Sequence, residues 1–300
     1  MNNSKEIKFR IKSVSSIYKV TKAMGAIAAS RMKKAQEQTL HARPYILRAL
    51  EILALLKRYG FSLEESPLVT EKKSKKVLVI MITPDRGLCG GLISNLLKVA
   101  LDFKSEQEKE GRELTYIVVG KKGASFLKRI KANILAVFPD KSFWKLIDIG
   151  AIHKLIISSF LSGEYGSVAV IYSNFISPVK QKATVRAFLP LTSKNLEKLI
   201  ETKKFSENSL NSKELIYQVE PTPSIIAETL IPHLLKMGLY FLFLETKASE
   251  HSARMIAMEN SRKNAKELAD DLTLSYNKLR QAQITSQIAE IVGGAAVMEE

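Results

Sequence analysis

A glycine-rich loop, Thr83–Gly91 (TPDRGLCGG), is the segment of this sequence that comes closest to a chemical site. It follows an apolar run and precedes an amphipathic stretch, which is where dinucleotide enzymes hold a phosphate at a helix N-terminus. The loop has neither GxGxxG nor GxxxxGK[ST] spacing, and no acidic residue suited to a ribose follows about 20 residues later. We therefore predict a tight turn that packs a strand against a helix, without a bound cofactor.

Cysteine and histidine are the other residue types that could do chemistry here. Cys89 is the single cysteine, which excludes an internal disulfide and a CxxC-type metal site. As a nucleophile it would need a partner histidine, and none can be placed beside it. The histidines show no metal-ligand spacing; they are His41, His153, His233 and His251. The residues therefore indicate no catalytic site and no metal site.

The composition is that of a folded protein without a membrane span. Of the 300 residues, 46% are hydrophobic and 25% are charged, enough for a sizeable core. The longest nearly continuous apolar run, Leu239 to Leu244, is far shorter than the ~20 residues that cross a bilayer. The N-terminus carries charges where a secretory signal needs an apolar run. We expect a reducing, cytosolic compartment and no direct membrane span.

The net charge of +16 is compatible with nucleic acid, a membrane surface or an acidic protein partner. Its distribution is uneven. Residues 1–40 hold nine Lys and Arg against two acids, a net +7, whereas residues 245–300 hold seven against nine, a net −2. The basic character therefore belongs to the N-terminal segment and the middle of the chain.

The elements that must position these residues follow the order helix, α/β domain, helix. Residues 1–59 contain one proline and almost no turn residues, which predicts a long helix. Apolar runs alternate with helical stretches over 75–205, including one from Phe143 to Leu161, which predicts a mostly parallel, Rossmann-like sheet covered on both faces. A second long helix is predicted over 222–298, with Thr222 as its N-cap. The predicted strands are Val77–Ile82, Tyr116–Val119, Ile134–Phe138, Val168–Tyr172 and Thr184–Leu189.

Both long helices carry apolar residues at alternating three- and four-residue steps, the pattern of a coiled-coil seam. Because a compact domain separates them, antiparallel pairing is the simplest closure. The N-terminal seam is Ile7, Ile11, Val14, Tyr18, Thr21, Gly25, Ala28, Met32 and Ala35. The C-terminal seam is Phe241, Leu244, Ala248, His251, Met255, Met258, Arg262, Ala265, Ala269, Leu272, Tyr276, Leu279 and Gln283.

Two features exceed what such a coiled coil needs. A second apolar stripe lies beside the N-terminal seam, at Ile17, Val20, Met24 and Ile27. At the other end, Ile284, Ile288 and Ile291 continue into a nearly uncharged tail with adjacent glycines, Gly293 and Gly294, which are unfavourable within a helix. We predict that a narrow sleeve of partner protein surrounds these parts.

Three blocks of the sequence together resemble one family, the gamma subunits of F-type ATP synthases. The first is KEIKFRIKSVSSIYKVTKAMGAIAASRMKKAQ (Lys5–Gln36), which is similar to the N-terminal helix of that family. The second is the loop TPDRGLCGG. The third is ETKASEHSARMIAMENSRKNAKELADDLTLSYNKLRQAQITSQIAEIVGGAAVM (Glu245–Met298), which resembles the C-terminal signature helix. Their order and spacing agree, so the resemblance covers nearly the whole chain.

The resemblance implies a central rotary shaft in a proton-translocating complex at the cytoplasmic face of the energy-coupling membrane. Its partners would be the alpha and beta subunits of the catalytic head, an epsilon-type subunit and the membrane rotor ring. The active sites would lie on other subunits, so the chain would not be an enzyme itself. A choice between proton and sodium coupling lies in those other subunits and stays open.

Site residues follow from the same resemblance, position by position. Met24 matches a position that faces the acidic lever of the beta subunit. Positions near the beta-subunit catch loops and the bearing are matched by Arg254, Arg280, Gln281 and Thr285, and Gln287 stands where the family usually has glutamate. The foot-domain motif is matched by Arg86, Gly87, Cys89, Gly90 and Gly91.

Two other functions compete with this one. A basic coiled coil that binds nucleic acid would carry basic residues and interleaved aromatics along both helices, and the C-terminal helix is net negative. A Rossmann-type oxidoreductase would retain a dinucleotide in residues 75–205.

Overall fold

The computed structural model describes residues 2–62, 66–70, 72–191 and 219–298. The chain divides into two compact units. One consists of Met1–Ala29 with Arg254–Glu300, and the other of Ser30–Ala253. Each long helix therefore belongs partly to one unit and partly to the other. The predicted domains, 1–59, 75–205 and 222–298, instead assign each long helix to a domain of its own. Residues 192–205 of the predicted α/β range lie outside the described residues.

The elements alternate between strand and helix inside two flanking helices. In chain order they are α1 (Asn2–Arg58), β1 (Lys76–Ile82), α2 (Leu92–Lys109), β2 (Glu113–Val119), α3 (Lys121–Arg129), β3 (Asn133–Phe138), a 3₁₀ turn (Leu146–Ile149), α4 (Gly150–Leu161), β4 (Ser167–Ser177), β5 (Lys180–Leu189) and α5 (Pro223–Met298).

The five strands form one sheet in the order β3-β2-β1-β4-β5. The first four strands are parallel, and β1 lies at the centre, so that Val79 has Tyr116 and Ala169 as its register partners. The last strand, β5, pairs antiparallel with β4 and begins four residues before the predicted Thr184. This order, with long terminal helices around a mixed α/β centre, confirms the predicted fold class.

Alternation along β1 separates two cores on the two faces of the sheet. Val77, Val79 and Met81 pack on one face with α2 and α3. Leu78, Ile80 and Ile82 pack on the other face with α4 and with parts of both long helices. The buried residues that α1 contributes are Ile46, Ala49, Leu50, Leu53 and Leu56, and those of α5 include Ala227, Ile231, Leu235, Leu239 and Leu242. The long helices therefore supply most of one covering layer of the sheet.

Two segments differ from the sequence prediction. The helix predicted from Phe143 begins at Gly150, after the 3₁₀ turn, because the Asp148 carboxylate accepts a hydrogen bond from the Lys145 backbone N–H (2.8 Å) and contacts Lys141 (2.6 Å). In the predicted polar linker 60–76, Phe61 and Leu68 are buried in the core next to the long helices. Residues 63–65 and 71 of that linker lie outside the described residues.

One stretch of α5 is long and apolar enough to cross a membrane by length and composition. Its residues are mostly buried inside the protein, 56% of them, as in a core helix of a soluble protein. The stretch therefore gives only weak support for a membrane span.

Candidate functional site

The glycine loop turns sharply between β1 and α2. Leu88 and Gly90 have left-handed backbones, with φ of 60° and 56°. Cys89 between them is 1% exposed, so its thiol is closed to a substrate. The Gly91 carbonyl accepts hydrogen bonds from the backbone N–H of Asn95 and from the Ser94 hydroxyl (both 3.0 Å), which bind the loop to the first turn of α2.

The side chains that fix this loop are Thr83 and Asp85, which sequence reasoning did not single out. The Thr83 hydroxyl donates to the Val119 carbonyl and accepts from the Gly123 backbone N–H, both at 2.9 Å. The Asp85 carboxylate accepts from the Lys121 backbone N–H at 2.7 Å, so an internal anion occupies the N-terminus of α3. These bonds join β1, β2 and α3, as a structural turn does.

The histidines and acidic residues form no cluster of three or more that could hold a metal, within the residues that the structure describes. His153 on α4 packs near Pro232. Burial, with a smaller effect of neighbouring Lys236, lowers the pKa of His153 to about 4. The ring is therefore neutral at physiological pH, as is typical of a histidine that serves in packing.

In the unit formed by the chain termini, α1 and α5 pack antiparallel. Gly25 faces Met258, where a Cβ built on Gly25 would lie 3.5 Å from the Met258 Cβ. The next contact joins Tyr18, seven residues before Gly25, to Arg262, four residues after Met258. The Arg262 guanidinium lies 5.9 Å from the centroid of the Tyr18 ring. Arg262 is oriented by two hydrogen bonds to Glu259, at 2.6 and 2.9 Å, and these lower the pKa of Glu259.

Burial along α1 separates the predicted seam from the predicted second stripe. Every predicted seam residue from Ile7 to Ala35 is buried or half-buried. The second stripe stays largely exposed: Ile17 is 53%, Val20 56% and Ile27 53% exposed. Met24, the remaining member of this stripe, is half-buried. The pairing of α1 therefore uses one apolar stripe and leaves the other open to solvent.

The exposed surface of α1 also carries lysines. Lys12, Lys19, Lys22 and Lys33 all lie on the solvent side of α1. An exposed apolar stripe on a positively charged helix suits a partner with an apolar groove and acidic residues.

The C-terminal part of α5 is the second exposed surface. Residues 280–289 are all exposed, and so are Ile291 and Val292. Four of the predicted site residues lie in this segment, and the Thr285 hydroxyl donates to the Gln281 carbonyl at 3.0 Å. They are Arg280, Gln281, Thr285 and Gln287. Arg254 is half-buried, further back along α5. The side chains at 293 and 294 lie outside the described residues.

Comparisons with known proteins all match this chain to the same family. A family model described as ATP synthase matches residues 3–298. The ATP synthase gamma chain of Roseiflexus castenholzii is 38% identical over 309 residues, covering 100% of both chains. The ATP synthase gamma chain of Dehalococcoides mccartyi is 39% identical over 302 residues, covering 99% of this chain and 100% of its own.

Two solved structures share the fold. A chain in the cryo-EM structure of the Euglena gracilis mitochondrial ATP synthase OSCP/F1/c-ring matches with a TM-score of 0.65 and 17% identity, over 99% of this chain and 95% of its own. A chain of the Tetrahymena thermophila mitochondrial ATP synthase central stalk and c-ring matches with a TM-score of 0.56 and 23% identity, over 80% of this chain and 98% of its own.

Gly120→Ala should strongly destabilise the α/β part. Gly120 has φ of +93°, and a Cβ there would lie 2.0 Å from the Thr83 carbonyl oxygen. Overpacking together with a strained backbone should cost about 3 kcal/mol or more. Gly163→Ala is the matched control, because Gly163 also has a positive φ (+77°) but open space around it. Urea denaturation of both variants measures the difference. Equal midpoints would show that the loop does not pack tightly at Thr83.

Substitutions at Gly25 should separate contact from crowding in the helix pair. Gly25→Ala places its methyl in ordinary contact with Met258 and should stabilise the helix by about 1 kcal/mol. Gly25→Leu adds atoms where the partner helix already lies and should cost about 1–3 kcal/mol. Thermal unfolding followed by far-ultraviolet circular dichroism compares the two variants. A leucine variant as stable as the alanine variant would contradict the close approach of the helices.

Proposed function

We infer the function from one premise: the chain belongs to the ATP synthase gamma family, as a match over residues 3–298 and full-length identities of 36–39% establish. It is accordingly a gamma subunit, part of the central stalk of a rotary ATP synthase. Beyond that, we propose that it works as the shaft that carries torque between a proton-driven rotor ring and the catalytic beta subunits.

The physical requirement is that the shaft contact the catalytic subunits differently at different angles. A contact shifts a conformational equilibrium only by the difference in its free energy between the two states. One elementary charge that crosses 100 mV releases about 2.3 kcal/mol, so the work of several charges must pass through the shaft for each ATP. A pair of packed helices resists bending and twisting better than a single helix does.

The observation that carries this proposal is the exposed second stripe on α1. A helix that pairs only with its neighbour needs one apolar stripe, and this helix keeps Ile17, Val20 and Ile27 in solvent. Exposed lysines elsewhere on α1 add positive charge. We assign this surface to the alpha and beta subunits of the catalytic head, with Met24 toward the acidic lever of the beta subunit.

We assign the exposed segment 280–292 of α5 to the bearing at the tip of the shaft. Arg280, Gln281, Thr285 and Gln287 are the proposed contacts there, with Arg254 nearer the beta-subunit catch loops. Their exposure supports an interface. With Gln287 in place of the usual glutamate, this chain would make a neutral hydrogen-bonded contact where relatives make a charged one.

The proposed shaft forms no bond itself. The loop at Arg86–Gly91 serves the foot, where the epsilon-type subunit and the rotor ring would bind, and its cysteine is buried. The active sites would lie on the ring of alpha and beta subunits. The complex is membrane-associated, and we place this chain peripherally on the cytoplasmic face. A nucleic-acid-binding function receives no support from the relatives, which carry the name ATP synthase gamma chain.

Val20→Ala with Ile27→Ala should weaken assembly with the alpha and beta subunits. Both residues are exposed in the free chain, so their removal should change its own stability little. Burial of the lost methyl groups in the complex is worth about 2 kcal/mol, which raises Kd about 30-fold. Retention of the chain on immobilised alpha and beta subunits, titrated by concentration, measures this Kd.

Ile147→Ala is the control, because Ile147 is 79% exposed and lies on the 3₁₀ turn of the α/β part, not on α1. It should bind the alpha and beta subunits as the unaltered chain does. If the double variant also binds normally, the stripe is not the interface. If the unaltered chain does not bind these subunits at all, the proposed function is wrong.

A further inference from the structure

A polar segment of α5, Thr246–Ser252, is buried on every side. All seven residues are at most 5% exposed, although the segment contains a lysine, a glutamate, a histidine and two serines. Seven residues make nearly two helical turns, so the burial of each one means that protein surrounds the helix here. Polar residues are buried at a cost unless they are hydrogen-bonded. This enclosure therefore needs a reason beyond the packing of a core.

On one side, the helix is bonded to the hairpin formed by β4 and β5. The Ser249 hydroxyl donates to the Ser173 carbonyl at 2.9 Å. The Ser252 hydroxyl donates to the Pro178 carbonyl and accepts from the Gln181 amide at 3.3 Å. Two successive turns of α5 are thus attached to the hairpin, near its tip.

On another side, the helix is bonded to the loop 139–145 that follows β3. Lys247 Nζ lies 2.5 Å from the Asp140 carboxylate, and both side chains are at most 7% exposed. The Trp144 ring packs on Phe243, with 4.5 Å between the ring centroids. The Tyr240 hydroxyl donates to the Trp144 carbonyl at 3.3 Å.

The same loop reaches the other long helix. The ammonium group of Lys34 on α1 lies 4.3 Å from the centroid of the Phe143 ring, as in a cation–π contact. Loop 139–145 and the hairpin tip together form what we name the collar: Asp140, Phe143, Trp144, Ser173, Pro178 and Gln181.

The two sets of bonds hold opposite faces of α5. At about 100° per residue, Tyr240, Phe243 and Lys247 share one face, and Ser249 and Ser252 lie roughly on the opposite one. Interdigitated apolar side chains already oppose a turn of α5 about its own axis, and bonds with a defined geometry add to that resistance. Hydrogen bonds and an ion pair have fixed directions, and on opposite faces they resist such a turn.

The Asp140–Lys247 pair is suited to position rather than to stability. Lys247 Nζ also lies 2.7 Å from Glu250, so one cation is buried between two carboxylates. Burial raises the pKa of Asp140, despite the opposing charge of Lys247. A buried ion pair of this kind adds little net stability compared with apolar residues, but its geometry is specific.

We propose that the collar fixes the rotational angle of α5 in the α/β body, and that Asp140 is the positioning residue through which torque passes into this helix. The proposal rests on the proposed function of the chain as a shaft. It adds the place where torque enters α5 and the contact that carries it.

The test uses the complete ATP synthase, with Asp140→Asn compared with Glu250→Gln. Each substitution changes one carboxylate beside Lys247 into an amide. Asp140 joins the loop to α5, whereas the Glu250–Lys247 pair lies within α5 and outside the collar. A bead on the α/β body, with the catalytic head fixed to glass, reports the torsional stiffness of the rotor as angular variance during pauses for ATP.

We expect a larger angular variance with Asp140→Asn and an unchanged one with Glu250→Gln. Asp140→Lys combined with Lys247→Glu again surrounds one cation with two carboxylates, and it should restore the original variance. This charge-swapped variant also provides the test if Asp140→Asn does not assemble. In that case, a swapped variant that assembles with a raised variance would overturn the proposal.

An unchanged variance in Asp140→Asn would overturn the proposal, even if its melting temperature fell, because Asp140 would then serve the fold alone. An equal rise in both single variants would overturn it as well, because the contact between elements would have no special role. Failure of the proposed function looks different: the unaltered complex would show no ATP-driven rotation at all.

Discussion

One face of the central sheet is covered by the long helices themselves. The parts of α1 and α5 that pack with α4 on Leu78, Ile80 and Ile82 are as buried as the strands. The α/β body therefore has no complete core without the two helices, and their packing on the sheet opposes sliding and turning within that unit. A chain that transmits work needs this constraint, because a helix attached only by its ends would twist before it turned anything else.

The two long helices divide their surfaces between internal and external contacts. In the unit formed by the termini, the helix backbones approach closely at Gly25 and Met258. Tyr18 and Arg262 make the neighbouring contact between the same two helices. That seam leaves the stripe at Val20 and Ile27 in solvent, and beyond Leu279 it leaves residues 280–289, Ile291 and Val292 of α5 exposed. An apolar surface that stays exposed in a well-packed chain is typical of an interaction site. The glycine loop differs from these surfaces, because its hydrogen bonds are made to neighbouring elements of the same chain, β2 and α3.

Much of this could be predicted from the sequence, because it depends on local periodicity. Runs such as Val77–Ile82 alternate between two cores, and the seam of α1 has the three-four spacing of paired helices. The second apolar stripe of α1 could also be predicted, because its residues recur at helical spacing. The tight turn between β1 and α2 was predicted because the loop lacks a phosphate-binding spacing, but Thr83 and Asp85, not the glycines alone, make its bonds.

The sequence could not show which distant segments meet. Nothing local relates Asp140 to Lys247, 107 positions away, or Phe143 to Lys34. The 3₁₀ turn before α4 was missed because a single carboxylate, Asp148, stabilises it against an otherwise helical pattern. The sequence also did not show that both long helices pack on the sheet. A helical pattern continues unchanged where the helix passes from pairing with the other long helix to packing on the sheet.

The central claim is that this chain carries work between subunits and makes no bond itself. It is tested most directly by attaching a probe to the α/β body in a reconstituted ATP synthase and following its angle as ATP is supplied. Stepwise rotation in one direction, which stops when ATP is withdrawn, is the predicted result. ATP hydrolysis at full rate with a stationary probe would contradict the claim.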